Sequence, residues 1–118
     1  MITQLGKELK KLRIDLGITL MDMSKKIGVS SAFLSAIETG RKRVPENFLE
    51  GLAAAYPEVN QHKDQYEVLI NQARKEVRLM FNGNNIEDAK LATALARRFN
   101  NLDANEREKL MKFLEAGA

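Results

Sequence analysis

Hydrophobic positions in this chain recur three and four residues apart over most of its length, a spacing that predicts amphipathic helices. Ile2, Leu5, Leu9, Leu12 and Leu16 form one face of a first helix, with Lys7, Lys10, Lys11 and Arg13 off that face and a stop near Gly17. A second helix is predicted over about 19–27 and a third over about 31–39, closed by Gly40 as a left-handed cap. Pro45 suits the first turn of a fourth helix, which buries Phe48, Leu49, Leu52 and Ala53 and stops at Tyr56-Pro57. From about His62 to Phe81 the residues Tyr66, Leu69, Ile70, Ala73, Val77, Met80 and Phe81 make a near-heptad stripe. This predicts the longest helix of the chain, packed on the first helix, with an apolar surplus that a second copy can cover.

The second and third helices are joined by a tight bend at Gly28, where a positive backbone angle carries no Cβ clash. Ser30 can cap the third helix by accepting from a first-turn amide, and Thr19 with Asp22 three residues later starts the second. Met23, Ile27, Val29, Leu34 and Ile37 fall where two crossed helices face a small core. Ser31, Ala32, Phe33, Ser35 and Ala36 are left outward or at the crossing. The pattern over 19–40 is a helix-turn-helix.

Asn82-Gly83-Asn84-Asn85 is the best candidate linker and divides the chain into 1–81 and 82–118. Beyond it, Leu91, Leu95 and Phe99 share one helical face, and Asp103 with Glu106 caps a last helix carrying Leu110, Phe113 and Leu114. Such a two-helix hairpin is marginal alone in water. Its apolar face must pack on the preceding helix, on a second copy or on another protein, and a homodimer is the favoured expectation.

A chain of 118 residues, 44% hydrophobic and 30% charged, can bury one modest core. Cysteine is absent, which excludes disulfides and thiolate metal sites. No apolar run reaches the roughly 20 residues of a membrane span, and no leader pattern opens the chain, so a cytoplasmic protein is expected. The net charge of +3 is unevenly placed: residues 1–55 carry nine Lys or Arg against six acids, whereas residues 56–118 carry ten of each sign. The entire surplus therefore lies in the half with the helix-turn-helix, as an electrostatic footprint for phosphate requires. His62 is the lone histidine, the acids have no paired-carboxylate or metal-ligand spacing, and there is no phosphate-cradling glycine loop. Neither catalysis nor a metal or cofactor is expected.

Three blocks, Ile27-Gly28-Val29-Ser30, Leu34-Ser35-x-Ile37-Glu38-x-Gly40 and Arg41-Lys42-Arg43-Val44-Pro45, together resemble the phage Cro/C1-repressor class, also called the xenobiotic-response-element family. The resemblance covers roughly the first half of the chain. It implies an all-α fold, a lambda-repressor-like bundle of five helices whose third helix reads DNA, here followed by the C-terminal hairpin. It also implies a dimer on an inverted-repeat operator. Where the family often has Gln near the start of the second helix, this chain has Leu20 and Met21, which puts one backbone contact in question.

On that basis Ser31, Ala32 and Ser35 are the base-reading candidates, and Phe33 offers an apolar edge to a thymine methyl. None is an Arg, Asn or Gln capable of bidentate recognition, so specificity is expected also from Arg41, Lys42 or Arg43 at base edges or in a narrow minor groove, and from DNA shape. Phosphate contact alone is an equal reading of those three cations. Ser30 and the start of the third helix can hold a phosphate, and Glu38 is expected to brace Arg41 or Arg43. The function expected is that of a dimeric, sequence-specific repressor of transcription. The alternative is an antitoxin that represses its own operon and binds a toxin through Leu91, Leu95, Phe99, Leu110, Phe113 and Leu114.

Overall fold

The computed structural model describes residues 1–117 and separates the chain into two compact units, Met1–Val77 and a second beginning at Arg78. Every element among the described residues is helical, and the fold is all-α.

The first unit is built of α1 (Gln4–Leu16), α2 (Leu20–Ile27), α3 (Ser31–Glu38), α4 (Phe48–Ala55), α5 (Pro57–Gln61) and α6 (Lys63–Arg74). Local chemistry sets the starts of the first three. Thr3 and Ser30 each accept a first-turn amide, and Thr19 with Asp22 completes a reciprocal capping box. Gly28 closes α2 at φ 81°, a left-handed angle that swings the chain directly into the Ser30 cap.

Leu5, Leu9, Met23, Leu34, Ile37, Leu52 and Val59 are completely buried and, with Val44, Phe48, Tyr56, Tyr66 and Ile70, make one core. Around it α1 packs on α3 and α6, α2 on α3 and α4, and α4 on α6.

The buried face of α1 is rotated from the expected one. Arg13 is buried and Leu16 is exposed, because Arg13 continues the four-residue ladder Leu5–Leu9–Arg13 that faces α3. Ala36, expected outward or at the crossing, is buried as well.

A short helix that the sequence reading did not expect, α5, precedes the expected fifth helix, which is α6. Pro57 ends α4 and simultaneously occupies the first position of α5, where its missing amide costs nothing, and Val59 on α5 is fully buried. α6 then stops at Arg74 rather than Phe81, with Lys75 in the left-handed region at φ 62°. The stripe does continue through Val77, Met80 and Phe81, but these are 72%, 79% and 48% exposed, and without burial a helical stripe has little to hold it. Arg74 instead donates from Nε to the Val44 carbonyl at 3.1 Å and from Nη2 to the Pro45 carbonyl at 2.6 Å, anchoring the end of α6 to the loop before α4.

The second unit contains α7 (Ile86–Arg98), a 3-10 turn (Phe99–Asn101) and α8 (Ala104–Ala116). Asn85 caps α7, and Asp103 with Glu106 forms a capping box on α8. Side-chain interactions gather at the corner: Arg98 pairs with Glu106 at 2.9 Å, and the Arg107 guanidinium lies 5.6 Å from the Phe99 ring centre. Neither helix contains a buried residue. Leu91, Leu95, Phe99, Phe113 and Leu114 are exposed, and Leu110 is half-buried. Among its described residues the unit thus has caps and ion pairs but no buried core.

Candidate nucleic-acid interface

The eight residues of α3 divide cleanly between inside and outside. Leu34, Ala36, Ile37 and Glu38 are buried. Ala32 is exposed, and Ser31, Ser35 and the following Thr39 are half-open. Spaced four apart, Ser31, Ser35 and Thr39 lie on one face, so the open strip of α3 is small and hydroxylated. Phe33 is partly buried against the core cluster, which leaves only part of its ring to a ligand.

The two ends of α3 carry different chemistry, about 12 Å apart at 1.5 Å per residue. At the N-terminus the Ser30 hydroxyl accepts the Phe33 amide at 3.0 Å. The amides of Ser31 and Ala32 have no partner among the described residues, so this end carries open donors and the positive end of the helix dipole.

At the C-terminus the loop bearing Arg41, Lys42 and Arg43 is fixed by its backbone. The amides of Arg41 and Lys42 both donate to the Ala36 carbonyl, at 2.9 and 3.2 Å, and the Gly40 amide donates to Ile37. The three side chains are exposed. The structure thereby brings the cationic loop and the open strip of α3 together as one continuous stretch.

Within that loop the cations are not equivalent. Arg41 Nε donates to the Thr39 hydroxyl at 3.1 Å, and that hydroxyl donates in turn to the Ser35 carbonyl at 3.0 Å. Arg43 is ion-paired to Glu76 and lies 3.8 Å from Glu46. Both of its partners are about half exposed or more, so a phosphate can compete for the guanidinium. Lys42 has no side-chain partner among the described residues.

Glu38 does not brace Arg41 or Arg43. It is buried and holds Arg13 of α1 in a two-pronged pair, with Nη1 to Oε2 at 2.5 Å and Nη2 to Oε1 at 3.0 Å. The same guanidinium donates to Met23 Sδ of α2 at 3.4 Å, so one side chain links the first three helices. Such a fork fits a carboxylate in both distance and plane, and it limits how α3 can tilt.

The Glu38 backbone is held too. Its carbonyl accepts from the Thr3 amide at 2.9 Å and the Thr3 hydroxyl at 3.1 Å. Gly6 makes this approach possible, since a Cβ there would fall on the Glu38 carbonyl oxygen and lie 2.7 Å from Ile2 Cγ1.

Sequence reasoning misses Thr39, Arg13, Thr3 and Gly6 as parts of this arrangement. Thr39 is detectable as the third member of the Ser31–Ser35 series. Arg13 is detectable as a cation four residues past Leu9.

Hydrogen bonds from Thr19 hold the Asp22 carboxyl below its ordinary value, with Lys25 adding a smaller pull. Burial raises the phenols of Tyr56 and Tyr66. Lys26 Nζ sits 4.8 Å from the Tyr56 ring centre, which ties the last turn of α2 to the end of α4. Among the described residues no group of three or more acids and histidines is placed to hold a metal ion, and no helix is long and apolar enough to cross a membrane.

Residues 4–57, from the start of α1 to the first residue of α5, match a family model described as a helix-turn-helix domain. The match supports a DNA-binding role for this part of the chain. No curated protein and no solved structure matches the chain.

Proposed function

We propose that this protein is a sequence-specific regulator of the Cro/C1 type that binds double-stranded DNA as a dimer in the cytoplasm and represses transcription from an inverted-repeat operator. The observation that carries the proposal is the fixed unit formed by α3 and its loop. A small hydroxylated strip ends in cations whose backbone is bonded to the helix itself, and Arg13, Thr3 and Gly6 set that helix on the bundle.

In this reading α3 enters the major groove along Ser31, Ala32 and Ser35, with the open part of Phe33 beside a thymine methyl. Ser30 and the free amides of the first turn hold one phosphate. Arg41 and Lys42 reach phosphates or a narrow minor groove at the other end, and Arg43 joins them when it leaves Glu76. The short strip lacks bidentate base readers, so DNA shape carries much of the specificity. The proposal needs neither a catalytic centre nor a cofactor.

Dimerisation places two copies of α3 in successive major grooves, roughly 34 Å apart on one side of the duplex. The exposed Leu91, Leu95, Phe99, Phe113 and Leu114, with half-buried Leu110, are the surface offered to the second copy. The same surface supports a second reading, an antitoxin whose second unit binds a toxin. Co-expression with the adjacent gene product separates the two: a stoichiometric complex that displaces the homodimer establishes the antitoxin. A homodimer unchanged by that product establishes the simple repressor.

A further inference from the structure

We infer that α7 pairs antiparallel with α7 of a second copy along a seam of Asp88, Leu91, Leu95 and Arg98, about a two-fold axis level with Thr93. The inference rests on the dimeric reading proposed above and names its seam within a single helix of the second unit.

The four residues are spaced three, four and three apart, the period of a seam between two paired helices. All lie within α7 and so share one side of it. That side is open: Leu91 is 72% exposed and Leu95 37%, Asp88 is exposed, and the Arg98 side chain is 60% exposed. Ala92 and Phe99 border the seam, whereas Lys90, Thr93 and Arg97 lie on the opposite side, so the helix is amphipathic. No residue of α7 is buried, and a helix of 13 residues is marginal by itself in water.

The order of side chains along the seam selects both the partner and the direction. An acid stands at the N-terminal end, a cation at the C-terminal end, and two leucines between them. Parallel alignment of two copies opposes Asp88 to Asp88 and Arg98 to Arg98. Antiparallel alignment level with Thr93 sets Leu91 against Leu95 and Asp88 against Arg98, and the two-fold axis repeats both contacts. A shift of one turn in either direction leaves a single leucine layer and separates Asp88 from Arg98. The seam is therefore its own complement, in charge as well as in apolar surface.

Both charges are available for this contact. Asp88 has no side-chain partner among the described residues. Arg98 donates from Nη2 to Glu106 at 2.9 Å, and a guanidinium with five N–H donors can serve a second carboxylate. A pair of helices about 20 Å long is at the low end of specific interfaces, so the expected dimer dissociates in the micromolar range.

The absence of native cysteine makes the register directly measurable. In the antiparallel seam Leu91 and Leu95 of the two copies stand level, whereas two residues of the same number are offset by about 6 Å along the axis, at 1.5 Å per residue. Leu91→Cys and Leu95→Cys variants of the full chain are oxidised separately and as a mixture at micromolar concentration, with sedimentation of the unsubstituted protein, Asp88→Arg and Lys90→Ala alongside. The expected results are a dimeric parent and a mixture that crosslinks about tenfold faster than either cysteine variant alone. Asp88→Arg, which sets a cation against Arg98 at both ends, is expected to weaken the dimer at least about tenfold, and Lys90→Ala on the opposite side to leave it within about twofold. A dimeric parent in which either cysteine variant alone crosslinks as fast as the mixture, or in which Asp88→Arg dimerises as well as the parent, overturns this seam and leaves the dimer to another surface. A parent that sediments as a monomer overturns both the seam and the dimeric reading.

Discussion

Removing one partner of the Arg13–Glu38 pair strands a charge inside the bundle. The side chains are 8% and 5% exposed, and both guanidinium prongs are engaged by the carboxylate. Among the described residues, the carboxylate of Glu38 loses the one side-chain cation that pairs with it in Arg13→Met, and in Glu38→Leu the guanidinium keeps the thioether of Met23. Breaking a buried pair from one side costs about 3–5 kcal/mol, whereas replacing both partners by apolar groups of similar volume is often neutral. For a unit of this size each kcal/mol moves the melting temperature by about 4–8 °C, so either single variant is expected to lose at least about 12 °C. The double variant Arg13→Met/Glu38→Leu is expected to recover most of that loss. Tyrosine fluorescence during urea or thermal unfolding is a suitable assay, since Trp is absent and the two tyrosines, Tyr56 and Tyr66, are both buried in the first unit. If the double variant is stable but binds DNA more weakly than the parent, the pair orients α3 as well as stabilising it. A single variant that loses less than about 1 kcal/mol would refute the reasoning, because the pair would then behave as a solvated surface contact.

Gly6→Ala forces a Cβ onto the Glu38 carbonyl and is expected to destabilise the first unit by about 1–3 kcal/mol, read in the same unfolding assay. Replacing Arg41 and Lys42 together by Ala is expected to weaken DNA binding and to reduce the salt slope of log K by about one for each phosphate no longer neutralised, measured by fluorescence anisotropy across a salt series. Arg43→Ala should cost less than Arg41→Ala in the same titration, because Arg43 must first leave Glu76. The Asp22 carboxyl is lowered by its bonds to Thr19, so the stability it contributes is present above the ordinary aspartate value near 3.8 and is lost as pH falls through the lowered folded value. Asp22→Asn should therefore flatten part of the acid limb in a pH series of thermal melts while leaving the profile between pH 6 and 8 unchanged in shape.

The parts of the fold legible in the sequence are those set by a few adjacent residues. Thr19 with Asp22, Gly28 and Ser30 fix α2, the bend and the start of α3 through local hydrogen bonds and one positive backbone angle, and they stand where the spacing predicts. What stays hidden depends on distant partners. Arg13 reads as a surface cation until Glu38, 25 residues away, is placed beside it. Gly6 looks like a weak point in a helix until the Glu38 carbonyl closes on it. The helical stripe through Val77, Met80 and Phe81 is genuine in its spacing, but periodicity cannot say whether a surface is there to receive it. Pro57 shows the converse, since a residue that ends one helix can begin the next, and Val59 behind it escapes a reading that stops at the proline.

At the candidate interface, Arg41, Lys42 and Arg43 are recognisable by charge, and Ser31, Ala32 and Ser35 by their positions after the cap. Their ranking is not recognisable. Thr39 holds Arg41, and Glu76 holds Arg43, through contacts that only the folded chain creates.

The central claim is that α3 and its cationic loop recognise a defined DNA sequence as a pair. Selection of binding sites by the purified full chain from a random duplex pool, at near-physiological salt, tests it most directly. The account predicts enrichment of an inverted repeat with half-sites about one helical turn, or roughly 10–10.5 base pairs, apart. It also predicts that enrichment is lost in the Arg41→Ala/Lys42→Ala variant. A pool that remains random after selection with folded protein would contradict the account.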